Sequence, residues 1–529
     1  MSFRVRDVYA GQSVLITGGT GFLGKVLIEK LLYSVPDVGK IFLIIRHSKG
    51  AAPKARLDKI LQDPLFDRLK KENPSAFDKL VPIEGDLLEE HLGISPHDLQ
   101  ILSSEVSIVI HSAATVKFDE ELRDAVAMNV SGTTRLIALC HKMNNLISLV
   151  HVSTAYANCN LSETEEKIYE PPIPPQKFVE ALNWMDDEMV KLITPRLLGN
   201  RPNTYTLTKA LAEKQLHEDA GTLPVIVIRP SIVGAMWGSP LPGWTDNMNG
   251  PTGIFSAVGK GVLTNMCGSD ESNADIIPVD IVANMIIVAA AHRAHVSYDK
   301  IPIMHCASGD LNPLKWGKIV VFLEQFYDKY PMDQCYAVPS THFHKSRFFF
   351  KINHNIRHEL PAKMLDLVYG MAGQKKMFVK LYSRVWKMIE TLHFFTTRGW
   401  TFHSKQLPIL WDTLHDEDKK EFNFDIRQVN WDEYLCDYAF GVKKYIMKDN
   451  MNNLRQARRN LTMLKLAKLA LQGIFWYVMV RLFGNRQTKK NQWIAWAAGL
   501  VLSQLYSRSI WRPKAYLKSL EEFKQTHYV

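Results

Sequence analysis

Thr17-Gly18-Gly19-Thr20-Gly21-Phe22-Leu23-Gly24 follows directly on the apolar run Val14-Leu15-Ile16 and leads into Lys25-Val26-Leu27-Ile28-Glu29-Lys30-Leu31-Leu32. A short buried strand, a glycine turn and a helix N-terminus in that order make a seat for a dinucleotide pyrophosphate, because free N–H groups and the positive end of the helix dipole converge on the anion. Gly18 serves the sharp turn, Gly21 lets the backbone approach phosphate, and Gly24 lets helix pack against strand. Thr20, Phe22 and Leu23 complete the loop and are expected to line the cofactor. A glycine triad alone is often only a loop; here it opens a βαβ unit near the N-terminus, as the fingerprint requires.

The next strand speaks to which dinucleotide. Lys40-Ile41-Phe42-Leu43-Ile44-Ile45 is continuously apolar, as a parallel strand covered on both faces must be. It ends in Arg46-His47-Ser48-Lys49, where an NAD enzyme carries an acidic residue for the ribose hydroxyls. A carboxylate would repel a 2′-phosphate, whereas a guanidinium grips one through paired hydrogen bonds. Arg46, with Lys49 beside it, therefore points to NADPH; the competing reading is a solvated basic loop.

Strands and helical segments keep alternating. Lys79 to Leu87 reads as a third strand, with Asp86 at its end placed to reach the adenine. Val106 to Ala114 reads as a fourth, whose small Ala113 and Ala114 let the backbone pass close to the cofactor. Ile147 to Thr154 is a fifth, ending in Ser153 and Thr154, and Pro224 to Pro230 a sixth, its terminal Pro230 also counted with the cofactor site. The pattern predicts an α/β, Rossmann-like doubly wound parallel sheet, which binds ligands beyond the carboxyl ends of its strands.

Tyr205-Thr206-Leu207-Thr208-Lys209 sets a phenol and an ammonium four residues apart, on one face of a helix that runs on through Glu213. An ordinary tyrosine is a weak acid at neutral pH, and a neighbouring ammonium is expected to lower its pKa. Tyr205 then acts as proton donor to an oxyanion, Lys209 also holds the nicotinamide ribose, and Thr154, with Ser153 as the alternative, donates a hydroxyl to the same oxyanion. Tyr-x-x-x-Lys recurs by chance in many chains. Its position downstream of the glycine turn and of a strand ending in Ser-Thr gives it meaning.

These residues resemble those of extended short-chain dehydrogenases/reductases. Thr154 and Tyr205 stand 51 residues apart, with an insertion rich in proline and charge between them, and inserted chain beside an active site is expected to build part of a substrate channel. The whole chain resembles the animal fatty acyl-CoA reductases, through Thr17 to Lys30, His151 to Asn160, Arg201 to Glu213, Ile228 to Ala235, Pro242 to Asn247 and Ala274 to Asp280. The likeness continues in Phe424 to Gln428, Trp431 and Lys443-Lys444-Tyr445. It implies NADPH-dependent reduction of fatty acyl-CoA to a primary alcohol and a smaller C-terminal domain of the male-sterility type. The domains expected are a reductase domain over 1–325, a mainly helical domain over 348–448 and a basic, membrane-anchoring tail over 451–529. Two other classes stay open at this point: a hydroxysteroid or sterol dehydrogenase of the same superfamily, and a catalytically silent lipid-binding homologue.

Charge and cysteine usage narrow the classes further. The chain of 529 residues carries a net charge of +10, yet residues 451–529 hold 14 Lys/Arg against two Asp/Glu, so the first 450 residues sum to −2 and the basicity belongs to the tail. That distribution argues against nucleic acid and for an anionic membrane surface. Six scattered cysteines, without CxxC spacing, imply neither a disulfide framework nor a zinc site, and no metal is expected. In the tail, Asn453 to Leu469 alternates apolar and basic residues at helical spacing. Leu469 to Val480 and Asn491 to Ser507 are free of charge, with Trp493, Trp496 and Tyr506 as interfacial anchors. Each run is shorter than the ~20 residues of a comfortable span. The expectation is a cytosol-facing catalytic body on a membrane, peroxisomal by the resemblance or else the endoplasmic reticulum, with one crossing and a hairpin both open.

Overall fold

The computed structural model describes residues 3–47, 50–483, 489–508 and 513–526. Of the residues expected at the cofactor, Lys49 lies outside the described residues. The fold divides into two compact units. One comprises residues 1–247, 273–314 and 399–430, the other 248–272, 315–398 and 431–529. Each unit is therefore assembled from segments distant in sequence, and the compact units run across the contiguous boundaries expected near 325 and 348.

The first unit is built on seven parallel strands: β1 (Ser13–Thr17), β2 (Ile41–Ile45), β3 (Leu80–Glu84), β4 (Val106–His111), β5 (Ser148–Val152), β6 (Val225–Pro230) and β7 (Ile303–Cys306). Their order across the sheet is β7-β6-β5-β4-β1-β2-β3. Each of β2, β4, β5 and β6 is buried along its whole length, which is why they read as mostly apolar, β2 without interruption. On one face, α1 (Phe22–Ser34) packs with the long Val279–His295 helix, which also lies against β5 and β6. On the other, α2 (Thr204–Asp219) packs with Gly132–Cys140. The strand order reverses between β1 and β4, where Thr17 pairs with His111. In open α/β sheets that switch point is where a crevice forms for a ligand.

Two polar anchors hold this frame. Arg229 on β6 and Glu213 on α2 form a bidentate ion pair, at 2.8 and 2.6 Å, with both side chains almost wholly buried. Asp280, at the start of the Val279–His295 helix, accepts the N–H groups of Trp237 and Gly238 at 2.9 and 2.8 Å, and burial pushes its carboxyl pKa up.

The second unit is mainly helical: α3 (Trp316–Lys329), α4 (Arg347–His354), α5 (Leu360–Met371), α6 (Phe378–Thr397), α7 (Trp431–Gly441), α8 (Leu454–Phe483), α9 (Lys489–Arg508) and α10 (Leu520–Gln525). Phe326 on α3 meets Phe440 on α7 edge to face at 4.8 Å, which fixes the core of this unit. The Leu454–Leu482 stretch of α8 is, by length and composition, long and apolar enough to cross a membrane.

Candidate active site

The glycine turn is shaped by contacts that leave no room for side chains. Gly18 has φ +76°, and a Cβ there would lie 2.8 Å from the Ala113 amide nitrogen. A Cβ on Gly24 would fall 2.2 Å from the Gly18 carbonyl oxygen and 2.6 Å from the Gly19 Cα. The first contact seats β1 against the loop that leaves β4, and the second lets α1 start directly on the turn. Gly21 caps α1 without a side chain, leaving the first N–H groups of the helix open toward the crevice. A cradle with no Cβ and free amides at a helix N-terminus fits the pyrophosphate of a nicotinamide dinucleotide.

The loop after β4 is pinned from both sides. Ser112 Oγ donates to the Thr17 carbonyl at 2.8 Å, and the Ala113 N–H donates to Thr17 Oγ1 at 3.2 Å. Thr17 Oγ1 also lies 2.7 Å from His111 Nδ1, and His111 Nε2 lies 3.1 Å from Thr133 Oγ1, which donates to the Asn129 carbonyl. This chain of bonds is satisfied by an imidazole protonated on Nε2 alone. Burial, with the charge of Lys209 nearby, pulls the His111 pKa down to about 3 and keeps it neutral. Asn129, in a π-helical turn, accepts the Thr115 N–H at 2.9 Å and donates to Thr208 Oγ1 on α2 at 3.0 Å. The loop beside Ala113 and Ala114 is thus tied to the helix that carries Tyr205.

The chemical groups converge at the end of β5. Thr154 initiates a 3-10 turn, accepting the Tyr156 N–H at 3.2 Å and donating to the Pro230 carbonyl at 3.3 Å. Its side chain lies close enough to the Tyr205 phenol to act on its titration, and that phenol ring stacks against Phe118 with centroids 5.8 Å apart. Ser153 is buried, and its Oγ has no partner in the structure. Of the two, Thr154 is the one whose side chain acts on the Tyr205 phenol.

The electrostatics differ from the sequence expectation. Burial pushes the Tyr205 phenol up to about 12, and the nearby Thr154 side chain only partly offsets this. Burial also pulls Lys209 down to about 8, with Glu213 acting in the opposite direction. The Lys209 ammonium donates to the Val152 carbonyl at 2.8 Å. Helical spacing alone predicted a direct effect of ammonium on phenol; desolvation sets the phenol's titration instead. The phenol is therefore held protonated, as a proton donor must be.

Where the adenosine end is expected, Arg46 is exposed just beyond β2, with its carbonyl accepting from Arg56. Asp86 follows β3 and caps the next turn by accepting the Leu88 N–H at 3.1 Å. One cluster beside the glycine turn was not assigned from sequence. Lys25 on α1 bridges Asp63 at 3.1 Å and Asp246 at 2.7 Å. Trp244 stacks on Phe22 at 5.4 Å and donates its indole N–H to Asp63 at 3.0 Å. Burial acts to lower the Lys25 pKa, but the two carboxylates raise it overall and keep it charged. Trp244 and Asp246 belong to the Pro242–Asn247 segment, so recurrence of that segment was the one available signal.

A male sterility protein model with an NAD-binding name matches residues 16–286, and a second model, also described as male sterility protein, matches residues 357–449. Fatty acyl-CoA reductase 1 of Rattus norvegicus is 40% identical over 490 residues, covering 92% of this chain and 95% of its own. The Homo sapiens protein of the same name is 39% identical over the same share, and fatty acyl-CoA reductase 2 of Mus musculus is 38% identical. Among solved structures, the reductase domain of a non-ribosomal peptide synthetase from Mycobacterium tuberculosis matches with a TM-score of 0.54 at 16% identity, over 83% of this chain and 92% of that one. The terminal reductase domain of the myxalamid pathway matches at 0.53 and 19%, over 83% and 90%. These two show a shared fold. Together with the glycine cradle and the strand-end hydroxyls, the matched models and relatives show that the chain belongs to the fatty acyl-CoA reductases, the male sterility protein family, and carries a nicotinamide-binding reductase domain.

Proposed function

We propose that the chain reduces the thioester of a long-chain fatty acyl-CoA to a primary alcohol, with NADPH as cofactor and Thr154, Tyr205 and Lys209 as the groups that carry it. The observation that carries the reading is that Thr154 at the end of β5 and Lys209 of α2, one turn from Tyr205, are fixed on strand-end carbonyls beside the switch-point glycine cradle. The nicotinamide supplies the hydride. Reduction of the thioester carbonyl puts negative charge on its oxygen, which the Tyr205 hydroxyl, and the Thr154 hydroxyl on turning from the Pro230 carbonyl, stabilise. Loss of the CoA thiolate leaves an aldehyde held at the same donors. In the second reduction Tyr205 gives its proton to the forming alkoxide, and Lys209, fixed by Val152, holds the ribose and restores the charge balance. Arg46, exposed where an acidic residue would exclude a 2′-phosphate, supports NADPH over NADH.

The insertion between Thr154 and Tyr205 forms helices at Pro175–Trp184 and Asp187–Leu198. Trp184, Met189 and Leu192 on them are exposed, and in this reading they guide the acyl chain. The apolar α8 anchors the protein to a membrane, peroxisomal or of the endoplasmic reticulum, with the catalytic unit facing the cytosol, where acyl-CoA and NADPH are found. The test is incubation of the full-length protein with acyl-CoAs of graded length and either nicotinamide cofactor, with the products identified by mass. Free alcohol formed with NADPH is expected. Turnover of ketosteroids in place of acyl-CoA assigns the site to a hydroxysteroid dehydrogenase instead.

A further inference from the structure

α8 does not leave the second unit as a free tether. Its first turns are part of the body: Ala457 and Leu461 are buried, Arg458 donates to the Lys329 carbonyl at 3.0 Å, and Lys465 pairs with Asp328. Beyond that point α9 folds back along it. Trp496 donates to the Gly473 carbonyl at 2.8 Å, and Trp476 lies against Gly499, where a Cβ would be 2.6 Å from the indole. Trp496 thus packs on Gly473 and Trp476 on Gly499, with tryptophan against glycine both times.

The chain then returns to the same unit it left. Gln325 on α3 donates to the Pro513 carbonyl at 2.8 Å and accepts the Ala515 N–H at 2.9 Å. Tyr330 donates to the Lys518 carbonyl at 3.2 Å, and Lys518 pairs with Asp437 at 3.0 Å. Leu520 and Phe523 are buried, and Phe523 stacks on Phe440 at 4.8 Å. Both ends of the hairpin are therefore fastened to one body, so the chain enters and leaves any bilayer on one side. The arm beyond the docked turns, Leu469–Phe483, reaches only about 22 Å at ~1.5 Å per residue. The hydrocarbon core is about 30 Å thick.

A second apolar face adjoins it. Phe350 on α4 stacks inward on Trp386 at 5.7 Å, which turns Phe348 and Phe349 outward. On α5, Asp366 points inward and accepts the N–H groups of Met377, Phe378 and Val379, each at 2.9 Å. Leu360, Met364, Leu367, Val368 and Met371 are then left on the outer face, Met371 at 73% exposure. Between Arg347 and Lys380 seven Lys/Arg stand against two Asp/Glu, so this apolar face is framed by positive charge. Arg357, between α4 and α5, is within electrostatic reach of Lys468 of α8. An apolar helix face framed by Lys and Arg, continuous with a short apolar hairpin, matches an anionic lipid interface.

We propose that the second unit sits on the membrane through one composite surface, the outer face of α4 and α5 together with a re-entrant α8–α9 hairpin, and that the C-terminus stays on the side of the enzyme body. This rests on the membrane reading given above and adds its topology.

The experiment adds full-length protein with a C-terminal epitope to preformed, sealed vesicles of phosphatidylcholine with or without phosphatidylserine. External protease is expected to remove the epitope as fast from sealed vesicles as from detergent-opened ones. An epitope protected until detergent is added shows a full crossing and overturns the hairpin. Full-length F348E/L367E/M371E, and separately R357E/K363E, are expected to float with phosphatidylserine vesicles several-fold less than wild type, with unchanged thermal melting and NADPH binding. Unchanged flotation overturns the role of the α4–α5 face. A dimer that becomes a monomer while flotation holds gives that face to a second copy, which also overturns it. Wild-type protein that does not float at all refutes membrane association itself, a failure distinct from the other three.

Discussion

The Lys209 ammonium donates to the carbonyl oxygen of Val152 at 2.8 Å, so the last residue of β5 fixes the lysine just ahead of the hydroxyls of Ser153 and Thr154. In the proposed roles, the lysine that positions the cofactor and the hydroxyl that polarises the substrate are held within three residues of one strand end. The proposed catalytic geometry is a property of β5 and α2 together.

The first consequence concerns Tyr205. Tyr205→Phe removes the proton donor and leaves the ring stacked on Phe118, so turnover is expected to fall on the order of 100-fold or more with little change in NADPH affinity. Lys209→Met is expected to harm both kcat and cofactor affinity. Steady-state kinetics alongside fluorescence titration of NADPH separates the two; a Tyr205→Phe enzyme with near wild-type kcat refutes the role.

The pH profile follows from burial. Lys209 titrates near 8 and Tyr205 near 12, so kcat/KM is expected to fall as pH rises through about 8, when the ammonium is lost, while the phenol stays protonated. In Lys209→Arg the limb near 8 is expected to vanish, because a guanidinium does not titrate there. An unchanged limb in that variant assigns it to another group. Folding has the opposite sign: between about 8 and 10.5 the unfolded lysine holds a proton that the folded one has released, so this group favours folding increasingly as pH climbs across that window.

Most of the first unit was legible in the sequence because its signals are local. Val14-Leu15-Ile16, Ile41 to Ile45 and Val225 to Ile228 are apolar without interruption because parallel strands are covered on both faces. Gly24 reports a contact within its own turn, with the Gly18 carbonyl, and Tyr205 and Lys209 are one helical turn apart. What was not legible depends on distant pairs. Lys25 meets Asp63 and Asp246, residues separated by most of the unit, and nothing local marks any of the three as partners. Residues 399–430 join the first unit, where Trp400 donates to the Cys159 carbonyl at 3.0 Å and Phe402 packs on Tyr156 at 4.9 Å. That allegiance cannot be read from composition. The Tyr205 pKa was misjudged because helical spacing reveals a neighbour but not the desolvation around it.

Cofactor choice is tested at Arg46. Arg46→Glu places a carboxylate where the 2′-phosphate is expected, and is predicted to lower kcat/KM for NADPH at least tenfold relative to NADH. An unchanged ratio of the two removes Arg46 from phosphate recognition.

Gly24→Ala is expected to fail for a steric reason that does not involve the chemistry. Its methyl would lie 2.2 Å from a backbone oxygen, with no side chain available to yield, so α1 must shift from the turn. A loss of about 1–3 kcal/mol of stability is expected, with NADPH binding weakened further. Thermal melting with and without NADPH checks both; a variant that melts and binds as wild type shows that the turn relaxes freely.

The buried ion pair provides a stability test away from the active site. Glu213→Gln leaves the Arg229 guanidinium buried without its counter-charge, which is expected to cost about 3–5 kcal/mol. Chemical denaturation measures the difference. A loss below ~1 kcal/mol shows that the Glu165 and Lys167 carbonyls, which also accept from Arg229, suffice on their own.

The most direct measurement of the central claim is stoichiometric: NADPH oxidised against CoA thiol released, in one reaction mixture of full-length protein and a long-chain acyl-CoA, with an aldehyde trap present. A site that holds the aldehyde at Thr154 and Tyr205 between two reductions is predicted to consume two NADPH per thiol and to yield alcohol with no trapped aldehyde. One NADPH per thiol with trapped aldehyde, or NADPH oxidation without thiol release, contradicts the account.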